Sequence, residues 1–147
     1  MSAPNTAKLL VAEDDHLMRW SLEKFLTRQG HAVCAVDSGK AALDAAGLED
    51  YRVVIINHMW EADDFHFVWR IKSQTPQTHV IVLTARTTPQ TERLARDTGA
   101  FDFLEKPFSL LDLKQAVERA ITTPERRKGP RGCCGGCEWQ TPCERWQ

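Results

Sequence analysis

Short apolar runs that each end in polar or charged side chains constrain the fold of this chain more than any other sequence feature. Four such runs cover residues 9–12, 53–56, 80–83 and 101–104. The polar groups that follow them, in chain order, are those of Glu13, Asp14, Asn57, Thr84 and Lys106. In open α/β sheets, the ligand crevice lies at the carboxyl ends of the strands. We therefore expect these side chains to meet at one edge of a sheet.

Helical spacing of apolar residues alternates with strand-like runs along the chain. The pattern predicts strands at 9–12, 31–36, 53–56, 79–83 and 101–104. It predicts five helices: one that ends at Gly30, then 39–47, 64–73 and 89–99, and a last one that starts near Ser109. Ser38 can cap the second helix, and Pro89 suits the first turn of the fourth. Five alternating strands and helices predict a doubly wound α/β fold with a five-stranded parallel sheet.

Length and composition bound the organisation of the chain. Its 147 residues allow one domain of ordinary size. We expect this domain over residues 1–124, followed by a basic linker and a Cys-rich tail over residues 125–147. The net charge of −1 provides no overall attraction for nucleic acid. With no secretion signal and no apolar run near the roughly 20 residues of a membrane span, we expect a cytoplasmic protein.

Four of the five cysteines lie in the tail, at Cys133, Cys134, Cys137 and Cys143. In a reducing compartment, such a cluster suggests metal or redox chemistry more than a disulfide framework. Four thiolates can bind Zn²⁺ or an iron–sulfur cluster. Adjacent cysteines are poor geometry for two ligands of one ion, so a redox switch and a tail without chemistry remain alternatives.

The chain resembles a response-regulator receiver domain of two-component signalling over about residues 7–122. The resemblance is carried by the acidic run Glu13-Asp14-Asp15, by Thr84 within Leu-Thr-Ala, and by Gly-Ala-Phe-Asp-Phe-Leu-Glu-Lys-Pro-Phe at 99–108. It implies a flavodoxin-like (βα)5 fold. It also implies that Glu13 and Asp14 hold Mg²⁺.

The same resemblance implies roles for the other strand-end residues. Thr84 would sense the phosphoryl group, Phe103 would be the switching aromatic, and Lys106 would pair with phosphate. The position of the phosphorylated aspartate falls on Asn57. The loop after Asn57 also lacks the proline and the glycine that are usual in the family.

An amide at position 57 changes the chemistry that the resemblance implies. A neutral carboxamide is a poor nucleophile and yields no stable acyl phosphate, so we expect the acceptor role to be lost. One carboxylate fewer should also weaken Mg²⁺ binding. Asn57 can donate hydrogen bonds to Glu13 or Asp14, and either can pair with Lys106. We therefore expect a pocket locked in one state, with no phosphoryl transfer to switch it.

The predicted function is that of a stand-alone pseudo-receiver that is not an enzyme and acts in phosphorelay-type signalling by binding a partner protein. The partner would be a histidine kinase or an output protein, and the family resemblance implies that it binds at the fourth and fifth helices and the fifth strand. A homodimer is a further option. We expect no DNA-binding domain in the short stretch after Pro124. The alternatives are a receiver phosphorylated on another aspartate and a redox or metal sensor that uses the tail.

Several residues near the strand ends have two interpretations. Asp63 and Asp64 could be substitute acceptors, although capping of the next helix explains them better. Transition-metal binding could involve His16, His58 and His66, but their spacing matches no metal motif. Trp60 and Trp69 are either partner-binding anchors or packed against the altered loop.

Overall fold

Five parallel strands alternate with five helices, as the sequence predicts. The computed structural model describes residues 6–58, 63–85 and 88–123. The elements are, in chain order, β1 (Lys8–Ala12), α1 (His16–Arg28), β2 (Ala32–Val36), α2 (Gly39–Leu48), β3 (Val53–His58), α3 (Asp63–Gln74), β4 (His79–Thr84), α4 (Pro89–Asp97), β5 (Asp102–Glu105) and α5 (Leu110–Thr122).

The strands form one sheet in the order β2-β1-β3-β4-β5, and all neighbouring pairs are parallel. Apolar side chains of the central strands are buried on both faces of the sheet. One core contains residues of α1 and α5, such as Leu22 and Leu113. The other contains residues of α2, α3 and α4, such as Ala42, Val68 and Ala95. The sheet is therefore covered on both sides, which explains why its central strands are apolar throughout.

Polar caps start the helices where the sequence predicts them. The Ser38 hydroxyl accepts a hydrogen bond of 3.0 Å from the backbone N–H of Ala41 at the start of α2. The Ser109 hydroxyl accepts one of 3.0 Å from the N–H of Asp112, which begins α5. Pro89 occupies the first turn of α4. Each cap satisfies a backbone donor that the helix leaves without an internal partner.

The second strand begins at Ala32, one residue later than predicted. The backbone N–H of His31 bonds the carbonyl of Leu26 and so closes α1. The His31 imidazole Nδ1 accepts a hydrogen bond of 3.1 Å from the N–H of Ala7. His31 is therefore used by the helix end and by the segment before β1, and it does not join the ladder of β2.

Other boundaries also differ from the prediction. The fourth helix ends at Asp97 rather than at Gly99, because Gly99 adopts a φ of +97°, which helical residues cannot take. The fifth strand begins at Asp102, and the ring of the preceding Phe101 packs against His79 with centroids 4.6 Å apart. The third helix begins at Asp63, so Asp63 and Asp64 lie in its first turn and the capping position falls outside the described residues.

The predicted linker and Cys-rich tail, with Cys133, Cys134, Cys137 and Cys143, lie outside the described residues, as does Trp60. The chemistry predicted for them stays a prediction. Within the described ranges, no helix has the length and apolar character needed to cross a membrane.

Candidate functional site

The carboxyl ends of β1, β3, β4 and β5 bring the predicted polar residues to one edge of the sheet. Ala12 pairs with Ile56, His58 pairs with Thr84, and Thr84 pairs with Glu105. Parallel strands in this register end at the same level. The side chains that gather there are those of Glu13, Asp14, Asn57, Thr84 and Lys106.

Glu13 lies at the centre of this pocket and is only 1% exposed. Its Oε2 accepts hydrogen bonds from the backbone N–H of Asp15, at 3.0 Å, and from the side-chain Nδ2 of Asn57, at 3.2 Å. The Nζ of Lys106 lies 3.8 Å from its Oε1. The carboxylate is therefore held by one backbone donor, one amide and one ammonium group.

The Asn57 carboxamide connects the two acidic residues. It is 7% exposed, and its Nδ2 also lies 3.5 Å from Oδ1 of Asp14, at the outer limit of a hydrogen bond. An aspartate at this position would have no proton to donate at neutral pH. The hydrogen bonds predicted from the sequence are present, and they require the amide.

Burial raises the pKa of Glu13 above its ordinary value near 4.5, because water no longer solvates the charged form. The hydrogen bond from Asp15 and the positive charge of Lys106 oppose this effect. The nearby Asp14 carboxyl adds to the rise. The pocket therefore holds a carboxylate that is only partly compensated.

Lys106 and Thr84 are joined through the backbone, since the N–H of Lys106 donates to the carbonyl of Thr84 at 2.7 Å. Thr84 is buried, and the Lys106 side chain is about one quarter exposed. Phe103 lies two residues before the strand end on β5 and packs against the core formed with α2, α3 and α4. These residues connect the pocket to the β4–β5 side of the molecule.

Arg19 is a site residue that the sequence patterns did not single out for this role. Its Nη1 donates a hydrogen bond of 2.9 Å to the backbone carbonyl of Glu13. Its Nη2 lies 3.2 Å from Nδ1 of His16. The guanidinium thus holds the β1–α1 loop, which carries the acidic pair, against the first turns of α1. The sequence does place an arginine one helical turn after the acidic loop. This spacing alone does not show that the guanidinium bonds a backbone carbonyl of the loop.

Two of the three histidines considered for a metal site, His16 and His66, have other contacts, and the side chain of His58 lies outside the described residues. His16 contacts Arg19, while the ring of His66 stacks on Trp69 with centroids 6.3 Å apart. Among the described residues, no three His, Cys, Asp or Glu side chains converge on one point. Trp69 is 37% exposed, so it lies on the surface of α3, as a binding anchor requires.

The donor atoms of the pocket fit a hard cation. Within the described part of the chain, two buried side-chain oxygens have no hydrogen-bond partner, namely Oε1 of Glu13 and Oδ1 of Asn57. Carboxylate and amide oxygens are ligands that Mg²⁺ accepts. Glu13, Asp14 and Asn57 would hold such an ion with two negative charges, because the amide contributes an oxygen without a charge.

A family model described as the response regulator receiver domain matches residues 9–118 of the chain. The DNA-binding transcriptional regulator NtrC of Proteus hauseri is 34% identical over 121 residues, which is 82% of this chain and 26% of that protein. The transcriptional regulatory protein TcrA of Mycobacterium tuberculosis is 38% identical over 125 residues, or 84% of this chain and 47% of that protein. The chain thus spans a quarter to a half of these relatives.

A solved structure shows the same architecture. The chemotaxis protein CheY4 of Vibrio cholerae superposes with a TM-score of 0.72 at 28% sequence identity. The match covers 78% of this chain and 98% of that protein. The similarity therefore extends across nearly all of that solved chain.

The raised pKa of Glu13 predicts a specific pH dependence of stability. Because the folded pKa exceeds the unfolded one, the folded state binds more protons, so the stability linked to Glu13 is full below about pH 4.5 and is lost as pH rises through the raised value. We expect the difference in unfolding free energy between wild type and Glu13→Gln to fall across this window. Urea denaturation at a series of pH values measures it.

The matched control is Glu92→Gln, which removes an exposed carboxylate that pairs with Arg96 on α4. Exposed ion pairs contribute little, so this change should alter stability by only about 0.2–1 kcal/mol throughout. A difference for Glu13→Gln that stays level, or that grows as the pH rises, contradicts the assignment.

Proposed function

This chain belongs to the family of response regulator receiver domains of two-component signalling, and from that premise we propose that it works without phosphorylation at its strand-end pocket. It would transmit its state by binding a partner protein. The observation that carries the proposal is the buried carboxamide of Asn57, which stands between Glu13 and Asp14 and donates to both.

The chemistry of the amide supports the loss of the acceptor. Phosphoryl transfer to a receiver requires a carboxylate oxygen that attacks phosphorus and keeps the phosphoryl group as an acyl phosphate. The amide oxygen of Asn57 carries no full negative charge, and its nitrogen lone pair is delocalised into the carbonyl. Positioning and charge neutralisation, which are the main contributions of such a pocket, cannot replace a missing nucleophile.

The contacts within the pocket support a locked state. Asn57 satisfies Oε2 of Glu13, and Lys106 lies beside Oε1 of the same carboxylate. The Lys106 ammonium therefore has an internal counter-charge without a phosphoryl group. A ligand shifts a conformational equilibrium only by its differential affinity for the two states. When no phosphoryl group forms, that source of differential affinity is absent.

We include weakened Mg²⁺ binding in the proposal. Glu13, Asp14 and the Oδ1 of Asn57 would be the ligands, and the two oxygens that lack hydrogen-bond partners support this assignment. When bound, the ion would supply positive charge next to the carboxylates. A third carboxylate is replaced by a neutral ligand, so the attraction for the ion is reduced.

The proposed contact surface for the partner is formed by α4, β5 and α5. The backbone bond between Lys106 and Thr84 links the pocket to β5, and Phe103 lies on that strand. Exposed apolar side chains on α5, Leu110 at 47% and Leu111 at 58%, offer anchors for a partner such as a histidine kinase or an output protein. The relatives named as transcriptional regulators suggest an output protein that acts on gene expression.

Labelling with a small phosphodonor tests the loss of the acceptor. Wild-type protein incubated with acetyl phosphate and Mg²⁺ should gain no phosphate, because position 57 has no nucleophilic carboxylate. Asn57→Asp should gain one phosphate at position 57. Intact-mass measurement followed by peptide mapping gives the result, with a receiver that has an aspartate acceptor labelled in parallel to show that the donor is active. Phosphate on wild-type Asp63 or Asp64 would establish the alternative acceptor and contradict the proposal.

Thermal unfolding with and without Mg²⁺ tests the metal part of the proposal. Asn57→Asp should bind Mg²⁺ at least about tenfold more tightly than wild type, because a charged ligand replaces a neutral one. A titration of the unfolding temperature against Mg²⁺ provides both dissociation constants. The control is Gln115→Glu, which makes the same amide-to-acid change on the exposed surface of α5. Equal Mg²⁺ affinity for wild type and Asn57→Asp is the contrary result.

Affinity capture tests the mode of signalling. Tagged wild-type protein should retain its partner equally with and without phosphodonor, whereas Asn57→Asp should respond to the donor. Leu111→Ser should reduce capture if the α4–β5–α5 surface is the contact. Leu17→Ser, a matched change at a residue 68% exposed on α1, should leave capture unchanged. If the amount of partner that the wild-type protein retains changes when the phosphodonor is added, the receiver is not locked.

A further inference from the structure

The outer side of β2 is a sheet edge with which no described strand pairs. This strand pairs only with β1 among the described residues, in a continuous register from Lys8 opposite Ala32 to Ala12 opposite Val36. Its sequence, Ala-Val-Cys-Ala-Val, contains no charge and no proline. Natural edge strands are usually protected by lysine, proline, a bulge or a covering element, because an open apolar edge pairs with other chains. The strand β2 contains no lysine, no proline and no bulge.

The hydrogen bonds between β2 and β1 show which backbone groups of β2 face outward. The N–H of Ala32 donates to the carbonyl of Ala7, and the carbonyl of Val36 accepts from the N–H of Glu13. The residues at 32, 34 and 36 therefore face β1. Backbone groups alternate between the two sides of a strand, so Val33 and Ala35 direct their N–H and C=O groups outward.

We propose that this edge binds the same edge of a second copy of the chain, antiparallel, about a two-fold axis at Cys34. In this register, Val33 lies opposite Ala35 of the second copy. Each such pair exchanges two hydrogen bonds, and symmetry repeats the pair. Every outward N–H and C=O of Val33 and Ala35 is thereby used. A one-residue shift of the register would leave some of them opposite inward-facing residues.

The charges on and next to β2 are compatible with pairing between this strand and β2 of a second copy. Pairing of two uncharged strands places no like charges opposite each other. The next residues out are His31 and Asp37, which are equally distant from Cys34, so each faces the other across the two-fold axis. Two aspartates do not meet.

The geometry at Cys34 supplies a direct measurement. Its thiol is free, and the residue is partly buried against the core that contains residues of α2, α3 and α4. Opposed residues of an antiparallel pair that exchange no hydrogen bonds have Cα atoms about 4.5 Å apart. A disulfide spans Cα separations of about 4.4–6.8 Å. The two Cys34 residues of the dimer are therefore within reach of a disulfide. Because a five-residue strand buries less than a standard interface, we expect a dimer that depends on concentration.

The experiment uses the full chain with its four tail cysteines replaced by serine, so that Cys34 is the only thiol. Sedimentation velocity over a wide concentration range should show a reversible monomer–dimer equilibrium. Copper-phenanthroline with oxygen should then give a covalent dimer, in which two Cys34 thiols lose two protons and two electrons to the oxidant and form one S–S bond. A monomer at every concentration overturns the proposal.

Ala35→Pro tests the backbone bonds. Proline is tolerated on an edge strand where the N–H faces outward, so the fold should remain, as checked by circular dichroism. Two of the four bonds across the axis are lost, and we expect dimerisation at least about tenfold weaker. A folded Ala35→Pro variant that dimerises as tightly as its parent overturns the proposal.

Designed cysteines test the register and do not depend on whether Ala35→Pro folds. With Cys34→Ser, the pair Ala32→Cys and Val36→Cys should cross-link, because position 32 faces position 36 of the second copy. Either single change should not. Cross-linking by a single change, or none by the pair, contradicts the register. Slow hydrogen exchange at Val33 and Ala35 in a dilute, monomeric sample would show that another segment of the same chain covers the edge, which also overturns the proposal.

Discussion

The hydrogen bond from Nδ2 of Asn57 to Oε2 of Glu13 is the interaction on which the state of the pocket depends. It joins the ends of β1 and β3 inside a pocket where Glu13 is almost fully buried. A carboxylate in place of the amide would set a third negative charge beside Glu13 and Asp14 and would add repulsion between like charges. The amide turns that repulsion into attraction, and among the described residues only Oε1 of Glu13 and Oδ1 of Asn57 are buried side-chain atoms without a hydrogen-bond partner.

Other contacts keep this interaction in place. Arg19 holds the carbonyl of Glu13, and Asp15 both caps α1 and donates its N–H to the Glu13 carboxylate. On the opposite side, Lys106 balances the charge of Glu13 and is tied through its backbone to Thr84. The Lys106 ammonium, which would pair with a phosphoryl group in other receivers, thus already lies beside the Glu13 carboxylate. Under the proposed function, the chain would keep the fold of the family and most of its pocket while losing the chemical input.

The prediction from sequence succeeded where the pattern is local and periodic. Apolar runs and helical spacing identified all five strands and all five helices, and Ser38, Pro89 and Ser109 marked three helix starts. Helix and strand ends were less accurate, since distant contacts decide them. His31 was assigned to a strand but bonds Leu26 and Ala7 instead, and helix α4 stops before Gly99 because of the positive φ of that glycine.

For the candidate site, too, the sequence predicted some features and missed others. Residue types alone establish that position 57 lacks a nucleophilic carboxylate and that Glu13, Asp14 and Lys106 carry the charges of the pocket, because these are covalent properties of the side chains. Other properties depend on strand order and on packing between residues far apart in the chain. They are the burial of Glu13, the hydrogen bond from Arg19 to the Glu13 carbonyl, and the outer edge of β2, with which no described strand pairs. Such properties arise from which surfaces meet in three dimensions, and no local pattern of residues records them.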